Sequence, residues 1–169
     1  MPIDSLSPCA ISAPVDTTSV GSGSASLTGS DNAGNTTTAD CAYSVFYRFA
    51  GFFAPVNNPV ATDQPAVINR ANAGRTIPLK WRLTDVSGSP VLGLASVKLT
   101  VEDLSCGLGT TADSLEEYAT GSSGLQNLGD GYYQFNWATP KGYAGSCKRA
   151  ALSLGDGSTS HYADFQFVK

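Results

Sequence analysis

The sequence predicts an all-β chain folded as an antiparallel sandwich, and three observations predict it. Apolar side chains recur at every second position in run after run, the period of a half-buried strand. Clusters of Gly, Pro, Asn, Asp and Ser separate these runs at the spacing of turns. The charged fraction is only 14% of 169 residues, while Gly, Ser, Thr, Asn and Ala are abundant, a composition that suits a β-rich extracellular protein.

Residues 1–22 read as irregular, punctuated by Pro2, Pro8 and Pro14. A hairpin is predicted next. Ser24–Ser30 forms a weak strand, Asp31-Asn32-Ala33-Gly34-Asn35 turns, and Thr37–Phe49 returns as one long strand with Cys41, Tyr43, Val45, Tyr47 and Phe49 in one phase. Residues 51–65 hold three prolines, which exclude a helix or a central strand, and either Phe52 or Phe53 is expected to dock on a neighbouring sheet.

The clearest strand lies in Asn72–Leu83, where Ile77, Leu79, Trp81 and Leu83 share one face and Thr76, Lys80 and Arg82 the other. Ala73-Gly74 precedes it as a turn and Asp85–Pro90 closes it. Pro78 shares the outward phase and lacks a donor, which predicts a bulge or the rim of a sheet. Further strands are set by Val97, Leu99 and Val101, by Tyr133, Phe135 and Trp137, by Ala150, Leu152 and Leu154, and by Ala163, Phe165 and Phe167. Only Thr111–Tyr118 carries a helix signal, Asp113 as cap with Glu116 at the third position, and the surrounding strand pattern argues against it.

Four cysteines, Cys9, Cys41, Cys106 and Cys147, show no CxxC spacing, and the chain has a single histidine, so disulfides are favoured over a zinc site. Of three pairings, Cys9–Cys41 and Cys106–Cys147 each close a loop within one region, and each would stabilise by roughly 3–4 kcal/mol. Such bonds predict an oxidising compartment. No apolar run is long enough to span a membrane, so no membrane insertion is expected. Met1–Ala10 lacks the charge and apolar core of a signal peptide, so a secreted chain would have carried its signal upstream. The net charge of −4 and the lack of a basic run speak against nucleic acid.

Several segments together resemble a known family. GFFAPVNNPV, NRANAGRTIPLKWRL, LSCGL, LEEY and the run from Tyr132 to Phe167 occur in the order found in the PxKF domain, a bacterial C-terminal module named for a Pro-x-Lys-aromatic strand. Pro78, Lys80 and Trp81 occupy those positions, with Trp in place of the usual Phe, and the resemblance covers residues 48–169. Residues 1–47, through DNAGNTTTADCAYSV, resemble the C-terminal strands of a bacterial Ig-like or hyalin-type repeat. These resemblances imply Ig-like sandwiches in a secreted or surface protein, extracellular and non-catalytic, acting as a spacer or display module beside other domains or neighbouring subunits.

His161 shares the phase of Ala163, Phe165 and Phe167 and reads as a strand-end residue, since no GxSxG elbow accompanies it. Glu102-Asp103 and Glu116-Glu117 are adjacent pairs whose side chains point to opposite faces of a strand, unlike a convergent catalytic pair. No enzymatic activity is therefore expected. Asp31, Asn32, Asn35 and Asp40 offer oxygens to calcium, although a turn stabilised by its own side chains explains them as well, and no cofactor is otherwise called for. Tyr132 and Tyr143 are the aromatic residues best placed to bind surface glycans, which makes a carbohydrate-binding module the first alternative. Lys80 faces away from the core, as a solvated or ion-paired lysine or an isopeptide donor would. Unpaired edges in a partial repeat give the second alternative, a subunit completed by a strand from a neighbouring chain.

Overall fold

The computed structural model describes residues 15–58, 66–94, 96–107, 109–115 and 124–169. The chain divides into two compact units, Met1–Phe46 and Tyr47–Lys169.

Among its described residues the first unit holds an antiparallel hairpin. Strand β1 (Gly21–Ser30) pairs along its whole length with β2 (Thr36–Val45). The turn between them is held by Asp31, whose carboxylate accepts from the amides of Ala33 and Asn35 and from the Asn35 side chain, at 2.7–2.9 Å. Cys41 is buried on β2, and its expected partner Cys9 lies outside the described residues.

The second unit is the predicted sandwich. One sheet has four antiparallel strands in the order β3-β5-β9-β8, formed by β3 (Arg48–Phe53), β5 (Thr76–Thr84), β8 (Gly124–Gly129) and β9 (Tyr132–Ala138). The other has five in the order β6-β10-β11-β4-β7, formed by β4 (Ala66–Asn72), β6 (Lys98–Leu104), β7 (Gly109–Ser114), β10 (Cys147–Ser153) and β11 (His161–Val168). Their inner faces meet in one core built from Phe52, Ile77, Leu79, Trp81, Leu83, Tyr133 and Trp137 on one side and Ala150, Leu152, Ala163, Phe165 and Phe167 on the other. The alternation of β5 is the cause: Ile77, Leu79, Trp81 and Leu83 are all fully buried, whereas Lys80 and Arg82 are half-buried on the opposite face.

The Cys106–Cys147 disulfide is present and ties β10 to the turn after its neighbour β6. In the same sheet Arg149 clamps the buried Asp164 with two hydrogen bonds of 2.7 and 2.8 Å. The buried Asn69 donates to the carbonyls of Asn57 and Asp164, and its Oδ1 accepts from the Asn57 amide at 2.8 Å. That anchors the segment after β3, where Val56 enters the core.

Four details depart from the sequence reading. The strand expected over 37–49 is two strands in two units, because the Tyr47 amide bonds to the Asp156 carboxylate instead of continuing the β2 ladder. Strand β3 then continues into the expected connector as far as Phe53. Strand β4 pairs parallel with both β11 and β7. The turn around Gly74, at φ 78°, passes the chain from β4 to the other sheet, so neither flank of β4 is taken by a hairpin partner. Pro78 is buried, and β5 lies inside its sheet. The β3 ladder ends at the Phe53–Lys80 pair, so the missing N–H of Pro78 interrupts no bond to β3. At 111–118 the strand context prevails over the helix signal as expected: residues 111–114 belong to β7, and residues 116–118 lie outside the described residues.

Candidate functional site

The outward face of the four-stranded sheet gathers aromatic and cationic side chains. Register places Arg48 opposite Thr84, Arg82 opposite Tyr132, and Lys80 between Phe53 and Gln134. These rows span about 13 Å along β5. Phe53 and Tyr132 are both exposed, and their rings lie 5.8 Å apart. A bulge at Ala50-Gly51 creates the pairing. Two residues there face one on β5, so Phe52 turns inward against Trp81 and Phe53 outward.

Arg82 is held in place from below. Its Nε donates to the Asp130 carbonyl at 3.0 Å and its Nη2 to the Asp130 carboxylate at 3.2 Å, while the guanidinium sits 5.1 Å from the Tyr132 ring centre. A shallow groove of about 300 Å³ lies between Arg48 and Arg82, lined also by Ala50 and Thr84. Deeper in the sheet, Gln134 Nε2 donates to the buried Asn136 at 2.7 Å, which fixes the polar row beside Lys80. Such a surface can stack a planar or ring-shaped ligand and offer guanidinium donors beside it.

Tyr143 stands elsewhere. It closes the short 3-10 turn Lys141–Tyr143 and packs on Phe167 at 5.4 Å and Trp137 at 6.4 Å, with the Lys148 ammonium 4.8 Å from its ring. Trp137 and Tyr132 are five residues apart on β9, about 17 Å. Tyr132 and Tyr143 therefore do not form one patch, and the aromatic neighbour of Tyr132 is Phe53.

The calcium candidates do not converge. Asp31 is committed to its own turn, whose donors hold its carboxyl below the ordinary range, the Asn35 side chain foremost. Asp40 accepts from the Ser26 hydroxyl four ladder pairs away from that turn, and Asn32 is exposed in it. Among the described residues no group of three or more His, Cys, Asp and Glu could hold a metal.

His161 faces the core margin and stacks on Phe49, with ring centres 3.9 Å apart and planes 9° from parallel. Burial pushes its pKa down despite the nearby Asp156 carboxylate, and its Nε2 is buried without a hydrogen-bond partner. Asp156 itself binds its own loop: burial alone would raise its pKa, but hydrogen bonds from Ser158 and the Tyr47 amide bring it below the usual value. Glu102 pairs across to Arg149 on one face, while Asp103 bonds Lys148 on the other, and Glu116-Glu117 lie outside the described residues. Phe53 and Arg48 were not singled out from the sequence. Only the Phe52-Phe53 doublet hinted that one ring would stay outside.

Two packed sheets around one apolar core make the second unit a β-sandwich, and a disulfide staples neighbouring strands of its larger sheet. No protein-family model matches the sequence, and no curated protein matches it. Solved structures with distant likeness include a chimaeric titin Z1Z2 functionalised with a KLER peptide from decorin, at 15% identity and a TM-score of 0.33, covering 88% of this chain. The chain spans 62% of that chimaera's length. The titin M3 domain shows 16% identity and a TM-score of 0.30 over 63% of this chain and 94% of its own. An endo-fucoidan hydrolase from glycoside hydrolase family 107 shows 18% identity and a TM-score of 0.28 over 89% of this chain and 19% of its own.

Proposed function

We propose that the chain is a non-catalytic structural and interaction module of a secreted or surface-displayed bacterial protein of the PxKF type. One observation supports the reading: among the described residues, four carboxylates and the histidine are spent on the fold. Asp31, Asp85 and Asp156 each bind the backbone of their own loop, Asp164 is locked to Arg149, and His161 is stacked and held towards its neutral form. The Cys106–Cys147 bond supports an oxidising location. No helix among the described residues is long and apolar enough to cross a membrane. The partners on this reading are adjoining domains or neighbouring subunits, which a stiff sandwich spaces or displays.

The test has two parts. The purified chain should resist trypsin with the disulfide intact and become sensitive after reduction. It should also leave a panel of chromogenic esters and glycosides unhydrolysed. Turnover that co-purifies with the chain and disappears on a single substitution would overturn the proposal.

Two observations favour narrower versions. The exposed Tyr132 beside Phe53 supports binding of surface glycans by the same module. A two-stranded ribbon is marginal alone, so β1–β2 supports completion by a strand from a neighbouring chain. A monomeric mass at high concentration in light scattering would refute the latter.

A further inference from the structure

We infer that the Arg48–Arg82 groove and the Phe53–Tyr132 pair form a binding site for acidic polysaccharide, with the guanidinium groups taking carboxylate or sulfate and the rings stacking a sugar. The inference rests on the glycan-binding version of the proposed function and names its ligand class. Three features carry it. The first is charge. The whole chain carries −4, yet this face presents the guanidinium groups of Arg48 and Arg82 beside the carboxylate of Asp130. Bulk electrostatics repel a polyanion from such a protein, so attraction must come from a local site.

The second is geometry. Arg48 and Arg82 border one groove of about 300 Å³. A guanidinium fork matches a carboxylate or sulfate edge with two parallel hydrogen bonds, which a neutral sugar cannot accept with equal strength. Asp130 engages Arg82 through Nε and one Nη2 contact, so the side chain is oriented before any ligand arrives. Arg48 has no carboxylate partner among the described residues.

The third is the aromatic surface. Phe53 and Tyr132 remain 36% and 40% exposed, although the core lies one layer below and Phe52 from the same doublet is only 4% exposed. Their rings are tilted 40° to one another beside Arg82. That places an apolar stacking surface and cationic donors on consecutive rows of one sheet, the arrangement an acidic sugar with an apolar ring face and an anionic substituent requires.

Affinity electrophoresis tests it, with polygalacturonate, dextran sulfate or uncharged dextran cast in the gel. The full chain should be retarded by the two acidic polymers and not by dextran, and retardation should fall as salt rises. Arg48→Gln, Arg82→Gln and Tyr132→Ala should each weaken binding about tenfold, the loss expected for one charge-assisted or stacking anchor. Tyr132→Phe should retain binding. Lys98→Gln, an equal charge change on the exposed side of the other sheet, should leave it unaltered. Unchanged urea midpoints in the exposed-residue variants would separate lost binding from lost folding. Equal retardation by dextran, with the arginine variants unaffected, would overturn acidic specificity and leave glycan binding standing. Retardation by no polymer would overturn both. Acidic binding that survives all three substitutions would overturn the site, as would size exclusion showing that this face joins two copies of the chain.

Discussion

Replacing Cys106 with Ser isolates the contribution of the disulfide to the larger unit. The bond closes a sequence separation of 41 residues. In the chain-entropy treatment that loop removes about 13 cal/mol/K from the unfolded ensemble, or about 4 kcal/mol at 25 °C. Cys106 is exposed, so Ser introduces no buried defect there, and Cys147 remains as a small buried thiol that packs as an apolar group. For a unit spanning Tyr47–Lys169 the loss corresponds to a fall in Tm of about 15 °C. Tryptophan fluorescence in urea is the assay. Both tryptophans, Trp81 and Trp137, lie in the core of this unit, so the signal reports it alone. The unsubstituted chain in reductant should unfold with the midpoint of Cys106→Ser in the same buffer. A loss below about 1 kcal/mol, or an equal drop when reductant is added to the variant, would refute the loop-entropy account.

Three further outcomes are expected. Asn69→Ala removes the donor and acceptor that hold Asn57 and leaves buried backbone groups unpaired, so stability should fall by about 2–3 kcal/mol in urea titration. Tyr133→Phe deletes the hydroxyl that accepts from the Leu94 amide at 3.1 Å and donates to the Val91 carbonyl at 2.8 Å. It should cost about 1–2 kcal/mol and speed hydrogen exchange at Leu94. His161 gives a pH dependence. Its pKa is lowered in the fold from 6.5, so below pH 6.5 the unfolded chain binds the additional proton, and stability present above that value declines as pH falls towards the folded pKa. His161→Phe keeps the stack on Phe49 and should flatten the stability profile between pH 7 and 5. A slope unchanged by that substitution would assign the effect to other groups.

Much of the sandwich is legible because one face of each major strand is buried. Ile77, Leu79, Trp81 and Leu83 announce β5, and Ala163, Phe165 and Phe167 announce β11, since a period of two has one physical meaning when half the positions must be apolar. Strand β4 is harder to read: Asn69 takes an inward position that an apolar residue would otherwise mark, satisfied by backbone partners distant in sequence. Strand β8 carries few apolar signposts and sits at a sheet edge. The break at Phe46–Tyr47 leaves no trace in the alternation, which runs in phase from Cys41 to Phe49. For the candidate site, the outward phase of Tyr132 is readable and its company is not. Phe53 and Arg48 join it only because β3 lands beside β5, and a bulge at Ala50-Gly51 decides which phenylalanine faces out. Tyr143 illustrates the opposite limit, a loop residue by sequence that tertiary packing draws against Trp137 and Phe167.

Strand β11 follows the other four strands of its sheet in sequence and occupies its middle, between β10 and the parallel β4. Until Val168 has left the ribosome, β6–β10 and β4–β7 are two unconnected strand pairs with Leu152 and Ala71 lacking their cover. The unit therefore cannot consolidate progressively as it is made, and a nascent chain stalled before His161 should remain a substrate for holding chaperones. Completion of the larger sheet therefore waits for β11, which joins its two halves.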